Sequence, residues 1–147
     1  MEHEGWMAEA LCLADEAAAA GEVPVGCIVV REGVIVGRGR NRREEAHSAL
    51  AHAEIEAIHE ACRALGDWRL EDCGLYVTLE PCPMCAGAIL NARIPRVIYG
   101  AREEKSGSCG SVIDLFSENY GFRPRVYGGV LRDECANELQ RFFEELR

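Results

Sequence analysis

From Val25 onward, short apolar strand-like runs alternate with longer helical runs, and that alternation restricts the chain to a layered α/β domain. Residues 6–20 (WMAEALCLADEAAAA) are rich in Ala, Leu, Met and Glu and predict an opening helix, ended by Gly21. Residues 25–30 and 34–37 are apolar runs separated by Arg31-Glu32-Gly33, a hairpin signal, with Pro24 tolerated where the first strand begins. Residues 51–65 predict a second helix, stopped by Gly66 and capped by Ser48. Residues 75–79 predict a buried strand broken by Glu80-Pro81, and residues 82–92 a third helix. Strands over 96–100 and 125–128, a helical turn over 113–116 and an amphipathic helix over 132–146 complete the chain. A hairpin first and parallel crossovers afterwards fit one α/β domain, and 147 residues without repeats or a Pro/Gly/Ser-rich linker make it a single one, 1–147.

The formal net charge of −9 is unevenly spread: Glu2, Glu4, Glu9, Asp15, Glu16 and Glu22 precede the first basic residue, Arg31. An acidic total argues against broad, nonspecific nucleic-acid binding, which needs Lys and Arg to neutralise phosphates. It leaves room for one local basic surface. Apolar stretches such as 25–30 are far too short to span a bilayer, and Met1-Glu2-His3-Glu4 opens without a basic or apolar targeting region. A cytoplasmic protein with no membrane partner is expected. The cysteines agree: Cys12, Cys27, Cys62, Cys73, Cys109 and Cys135 stand singly, mostly in apolar segments, as small hydrophobes rather than disulfide partners.

Chemistry concentrates at two helix starts. His52-Ala53-Glu54 opens the second helix and Pro81-Cys82-Pro83-Met84-Cys85 the third. Cysteines three apart at a helix start turn both sulfurs to one side, where the positive helix end favours thiolate. Pro81 and Pro83 suit a first turn, whose amides lack partners anyway. One His and two Cys leave the fourth tetrahedral position of zinc open, the pattern of catalytic rather than structural sites. Zinc so held brings the pKa of water toward neutrality. Glu54, two residues past His52, reaches the same cavity without ligating and can carry the proton from water to a departing amine. A lone CxxC is common and a lone HxE weak, but together they match the H-x-E…P-C-x-x-C signature of zinc-dependent nucleobase deaminases.

The resemblance extends further. Glu22-Val23-Pro24-Val25-Gly26, Asn41-Arg42, Ala51-His52-Ala53-Glu54-Ile55, the run from Leu75 to Ala88, and Gly100-Ala101-Arg102 resemble the bacterial tRNA-specific adenosine deaminases, a family within the cytidine-deaminase superfamily. The resemblance implies a cytidine-deaminase-like three-layer α/β/α sandwich, with a mixed five-stranded sheet and helices on both faces. It implies hydrolysis of adenosine to inosine at the wobble position of a tRNA anticodon, usually of an arginine tRNA, by a homodimer with one zinc per subunit. The target base is turned out of its stack into the pocket. On this resemblance Asn41 lines the base pocket, main-chain groups near Ala53 and Cys82 help hold the base and water, Arg102, Lys105 and Ser106 contact the anticodon loop, and Phe143 packs near the flanking bases. The chain departs from the family in having Ser48-Ala49-Leu50 where Asp-Pro-Thr is usual, and Glu103 where Asp is common.

Plainer assignments compete with several of these. Asn41 could simply end a strand, and Arg102 and Lys105, the sole lysine, could be solvated loop charges. Phe142 and Phe143 are adjacent, so one helix face cannot bury both; Trp6 and Trp68 are assigned to packing rather than base stacking. Ala88, Ile89 and Ala92 suit either core or a close subunit contact. Two other functions remain open: a deaminase of a free base or nucleoside such as guanine or cytosine, and a non-catalytic zinc scaffold, which would have no use for Glu54.

Overall fold

The computed structural model describes residues 2–146; Met1 and Arg147, the expected domain's ends, lie outside the described residues. Helix α1 (His3–Ala19) is followed by β1 (Gly26–Arg31) and β2 (Val34–Arg40), then α2 (Ala53–Leu65), β3 (Cys73–Leu79), α3 (Pro83–Ala92), β4 (Arg96–Ala101), a 3₁₀ turn (Leu115–Ser117), β5 (Arg125–Tyr127) and α4 (Arg132–Glu145). Every expected element is present. The strands form one sheet in the order β2-β1-β3-β4-β5. β1 runs antiparallel to both β2 and β3, whereas β3, β4 and β5 are mutually parallel, so the expected mixed sheet is observed.

Period-two alternation sorts the two cores. Cys27 and Val29 of β1, Leu75 and Val77 of β3 and Val97 of β4 face α2 and α3, meeting Ala53, Ala57, Ala61, Ala86 and Ile89. Ile28, Val30, Tyr76 and Ile98 face the other way, against Trp6, Met7 and Ala10 of α1 and Cys135 of α4. A strand apolar on both faces must be covered on both, so the sequence pattern of β1 and β3 forces three layers. The hairpin turns at Glu32 and Gly33 with φ of 50° and 75°, the doubly left-handed turn that a two-residue connection favours.

Several expectations need correction. Ser48 does not cap α2: its hydroxyl accepts from the Leu50 amide within the preceding turn (3.2 Å), and His52 occupies the N-cap position. The third helix likewise begins at Pro83, with Cys82 as its N-cap residue; Pro83 is in the first turn and Pro81 in the loop before it. The helical turn near residue 113 lies at Leu115–Ser117. Trp6 packs as expected, but Trp68 is 55% exposed. It follows the left-handed Gly66 that ends α2, where no layer covers it, and the guanidinium groups of Arg69 and Arg93 stack on its ring instead. Neither Phe142 nor Phe143 is fully buried; Phe142 is half-covered and Phe143 exposed, because α4 closes the α1 side with only one turn of contacts around Cys135 and Leu139. Ile89 and Ala92 are core, with Ala88 half-buried. Among the described residues no helix is long and apolar enough to cross a membrane.

Candidate active site

The crossover from β3 through α3 to β4, and the entry from β2 into α2, bring two helix N-termini together beyond the carboxyl end of β3. Open sheets place ligand sites at such ends. His52 and Cys82 are the N-cap residues of α2 and α3, both with extended backbone, and Cys85 and Glu54 lie in the first turns. The two helix starts therefore direct their positive ends, and their unpaired amides, into one space.

There the expected donors converge. His52 Nδ1 lies 3.6 Å from Cys82 Sγ and 3.5 Å from Cys85 Sγ, and all three ligand atoms are within 4.8 Å of one another. Zinc bonds of about 2.0 Å to nitrogen and 2.3 Å to sulfur, at tetrahedral angles, put nitrogen and sulfur roughly 3.6 Å apart. The set therefore fits a zinc-sized ion. Its protons are shared unevenly: the Cys85 thiol and then His52 hydrogen-bond Cys82 and hold it down at about 4, while Cys85 is pushed up by the same thiol contact. His52 is raised by its Cys82 contact.

Glu54 is 4% exposed, and burial pushes its carboxyl up to about 7. A carboxyl poised near neutrality can both take and give a proton. Glu54, His52 and Cys82 line one cavity of about 260 Å³, with Ala53, Asn41, Ser106 and Phe143 on its walls. Asn41 stands both at a strand end and on the cavity wall. It follows β2, and its side-chain amide donates to the Val23 carbonyl (3.3 Å) and accepts from the Arg43 N–H (3.0 Å), yet it also faces the cavity. Arg102 and Lys105 are not on the wall; they stand outside it, on the exposed surface of the loop that carries Ser106.

Sequence reasoning missed several wall residues, Val23, Val25, Arg43, Leu79 and Glu80, whereas Glu103, noted for its departure from the family's Asp, does line the cavity. Arg43 is exposed at the rim, whereas its neighbours Arg40 and Arg42 are ion-paired with Glu45, and Arg42 also with Glu56. Two buried carboxylates hold the loops on either side. Glu22 accepts the amides of Glu44 (3.0 Å) and Glu45 (2.7 Å), tying down the loop that leads to His52. Burial raises the Glu80 carboxyl, but hydrogen bonds from Ser111, Cys109 and Glu103 outweigh it and hold the group below its usual range. The signal for both was an acid inside an otherwise apolar run, Glu22 before Val23-Pro24-Val25 and Glu80 after Leu79.

A layered sheet of this order with a His-Cys-Cys set and a buried glutamate at two helix starts defines a deaminase, and the chain belongs to the MafB19-like deaminase family, which matches residues 1–147. More particularly, it is 47% identical over 145 residues to the tRNA-specific adenosine deaminase of Bacillus subtilis strain 168, covering 98% of this chain and 90% of that protein. A solved structure of a tRNA:A34 deaminase, studied for A-to-I editing at the wobble position of transfer RNA, superposes with a TM-score of 0.86 at 44% identity, over 90% of this chain and 96% of that one. The guanine deaminase of Bacillus subtilis shares the fold at 34% identity and a TM-score of 0.68, over 98% of this chain and 95% of that one.

Proposed function

We propose that this protein hydrolyses adenosine to inosine at the wobble position of a tRNA anticodon, arginine tRNA foremost, as a cytoplasmic homodimer with one zinc ion held by His52, Cys82 and Cys85 of each subunit. The observation that carries the reading is the joining of one donor set and one buried carboxylate in a single open cavity, in a chain 47% identical to a tRNA-specific adenosine deaminase. The guanine deaminase of Bacillus subtilis is less similar in sequence, 34% identical against 44% for the tRNA:A34 deaminase.

Zinc, when bound, supplies the Lewis acidity that makes water nucleophilic at neutral pH. The chain's own residues do the rest. Glu54 accepts one proton from water and delivers it to the purine ring nitrogen beside C6, then carries the second, from the oxygen added at C6, to the amine, which leaves as ammonia, so that water's oxygen replaces the C6 amine. Its burial keeps bulk water from competing for that proton. Asn41, with one amide hydrogen beyond its Val23 bond, orients the flipped base, and the first amides of α2 near Ala53 lack helical partners and face the same space. Phe143 offers an exposed ring at the rim for a flanking base. Ser106 on the wall and Arg102 and Lys105 outside it meet the anticodon-loop backbone.

The test is incubation of the purified, zinc-loaded protein with arginine tRNA carrying wobble adenosine, scoring inosine by sequencing. Adenine, guanine, cytosine and their nucleosides run in parallel. Inosine in the tRNA without free-base turnover is expected; guanine turnover with untouched tRNA would assign the site to a free base.

A further inference from the structure

Glu80 takes no part in the proton transfer described above, yet it is 2% exposed and fully engaged. Its Oε2 accepts the amides of Cys109 (2.9 Å) and Ser111 (3.1 Å), and its Oε1 accepts the amide of Glu103 (3.2 Å) and the Ser111 hydroxyl. All four donors belong to one loop, residues 102–111, between β4 and the 3₁₀ turn. That loop has no regular ladder of its own to fix its shape. Gly107 lies directly over the carboxylate, where a Cβ would stand 2.6 Å from Oε2 and 2.4 Å from the Glu103 carbonyl. The loop backbone is therefore folded around a single buried anion.

The connection continues outward to the surface. Ser111 Oγ, having donated to Glu80, accepts from Arg102 Nε at 3.0 Å. The chain Glu80–Ser111–Arg102 thus links a group on the cavity wall to a cation outside it, while Glu103 and Ser106 of the same loop face the cavity. Only a carboxylate suits this post. It is an acceptor-only group with two oxygens, and each here receives two donors; an amide in its place would turn one NH₂ toward N–H groups.

We infer that Glu80 is a positioning residue for the RNA strand: through Ser111 it fixes the Arg102 guanidinium, and through the loop backbone it fixes Ser106, so that the surface meeting the flanking nucleotides is formed before RNA arrives. This inference rests on the tRNA reading above. Ordering the loop in advance removes that entropy from the binding step, so the effect falls on KM rather than kcat. The arrangement also explains why an acidic protein can present a cation beside its site: the charge of Glu80 is spent inward, on amides, and Arg102 is aligned through a neutral hydroxyl rather than neutralised by an ion pair.

The experiment compares wild type, Glu80→Gln, Ser111→Ala, Arg102→Ala and the Glu80→Gln/Arg102→Ala pair on an anticodon stem-loop RNA, measuring zinc content, kcat, KM and the salt dependence of KM. Glu80→Gln and Arg102→Ala are each expected to raise KM about tenfold at unchanged zinc content. The double variant should be little worse than either single one, since both break one chain. Each should also reduce the slope of log affinity against log salt by about 0.7, the loss of one phosphate contact on a single strand. Independent, multiplying effects, or a Glu80→Gln defect in zinc content with KM and salt slope unchanged, would overturn the inference. Should Glu80→Gln fail to fold, Ser111→Ala decides: it leaves the amide bonds intact, and an unchanged KM in that variant refutes the relay. Wild-type protein that leaves the stem-loop unedited removes the tRNA reading and this inference with it, whereas edited RNA with additive variants removes this inference alone.

Discussion

A Cβ on Gly39 would stand 2.1 Å from the carbonyl oxygen of Ala53. Strand β2 therefore touches the first turn of α2 backbone to backbone, and this contact sets the depth at which His52 and Glu54 enter the cavity. Gly37 makes the matching contact one turn further on, also 2.1 Å, with the Ala57 carbonyl. The alanine stripe Ala53, Ala57, Ala61 completes a seam with no side chain thick enough to hold the layers apart.

Both Gly39→Ala and Gly37→Ala must push α2 off the sheet, at a cost on the order of 3 kcal/mol and a Tm lower by roughly 6–12 °C. They should differ in function. Gly39→Ala shifts the turn that bears His52 and Glu54, so the folded fraction should lose zinc and turnover; Gly37→Ala should keep more of both. Thermal melts with zinc analysis on the same samples separate the two, and equal losses in both variants would show that the seam acts on stability alone.

Glu54→Gln keeps the shape of the side chain and removes its ability to take a proton. Zinc should remain at one per chain, while turnover falls by about 10³-fold. Single-turnover rates beside metal content check this; near-normal turnover would contradict the assigned role.

Cys82→Ser removes a sulfur that lies 3.6 Å from His52 Nδ1. The donor set is then incomplete, and binding energy at such a site is folding energy. Zinc content should drop to background and Tm by about 10 °C, as it should on chelating the wild type. A chelated protein melting with its untreated control would mean the site contributes nothing to stability.

Glu138 on α4 is 7% exposed, its Oε1 buried without a partner. Burial first, and the Asp15 carboxylate of α1 second, push it up to about 8. Arg141 nearby opposes this shift, and Glu134 also faces the groove. Because the folded protein holds this proton more tightly than the unfolded chain, the stabilisation is full below about pH 4.5 and is lost as pH rises through about 8. Glu138→Gln should match wild type at pH 5 and exceed it at pH 8.5, by up to roughly 4 kcal/mol. Denaturant melts at the two pH values test it; a constant difference would place the proton elsewhere.

The order of elements, the three layers and the His-Cys-Cys set were legible in the chain because each is written in local terms. Period-two alternation in residues 25–30 and 75–79 demanded cover on both faces, and ligand types at helix starts carry their own chemistry. Local signals were weaker where several donors compete for one group. Ser48 carries the composition of a cap, but the turn before α2 claims its hydroxyl and leaves the N-cap position to His52. Trp68 has the composition of a core residue, yet the sheet has no layer at the end of α2 to receive it.

What the sequence determined by itself, then, is the chemistry at each helix start and the layering that buries the strands, since spacing and periodicity along the chain are enough to state both. What only the tertiary structure decided is how the two starts meet: the 3.5 and 3.6 Å approach of His52 to the sulfurs, the burial that moves Glu54 toward neutrality, and the folding of residues 102–111 around Glu80. Those depend on distances between residues far apart in sequence, fixed by glycine and alanine contacts between layers whose size matters only once the layers touch.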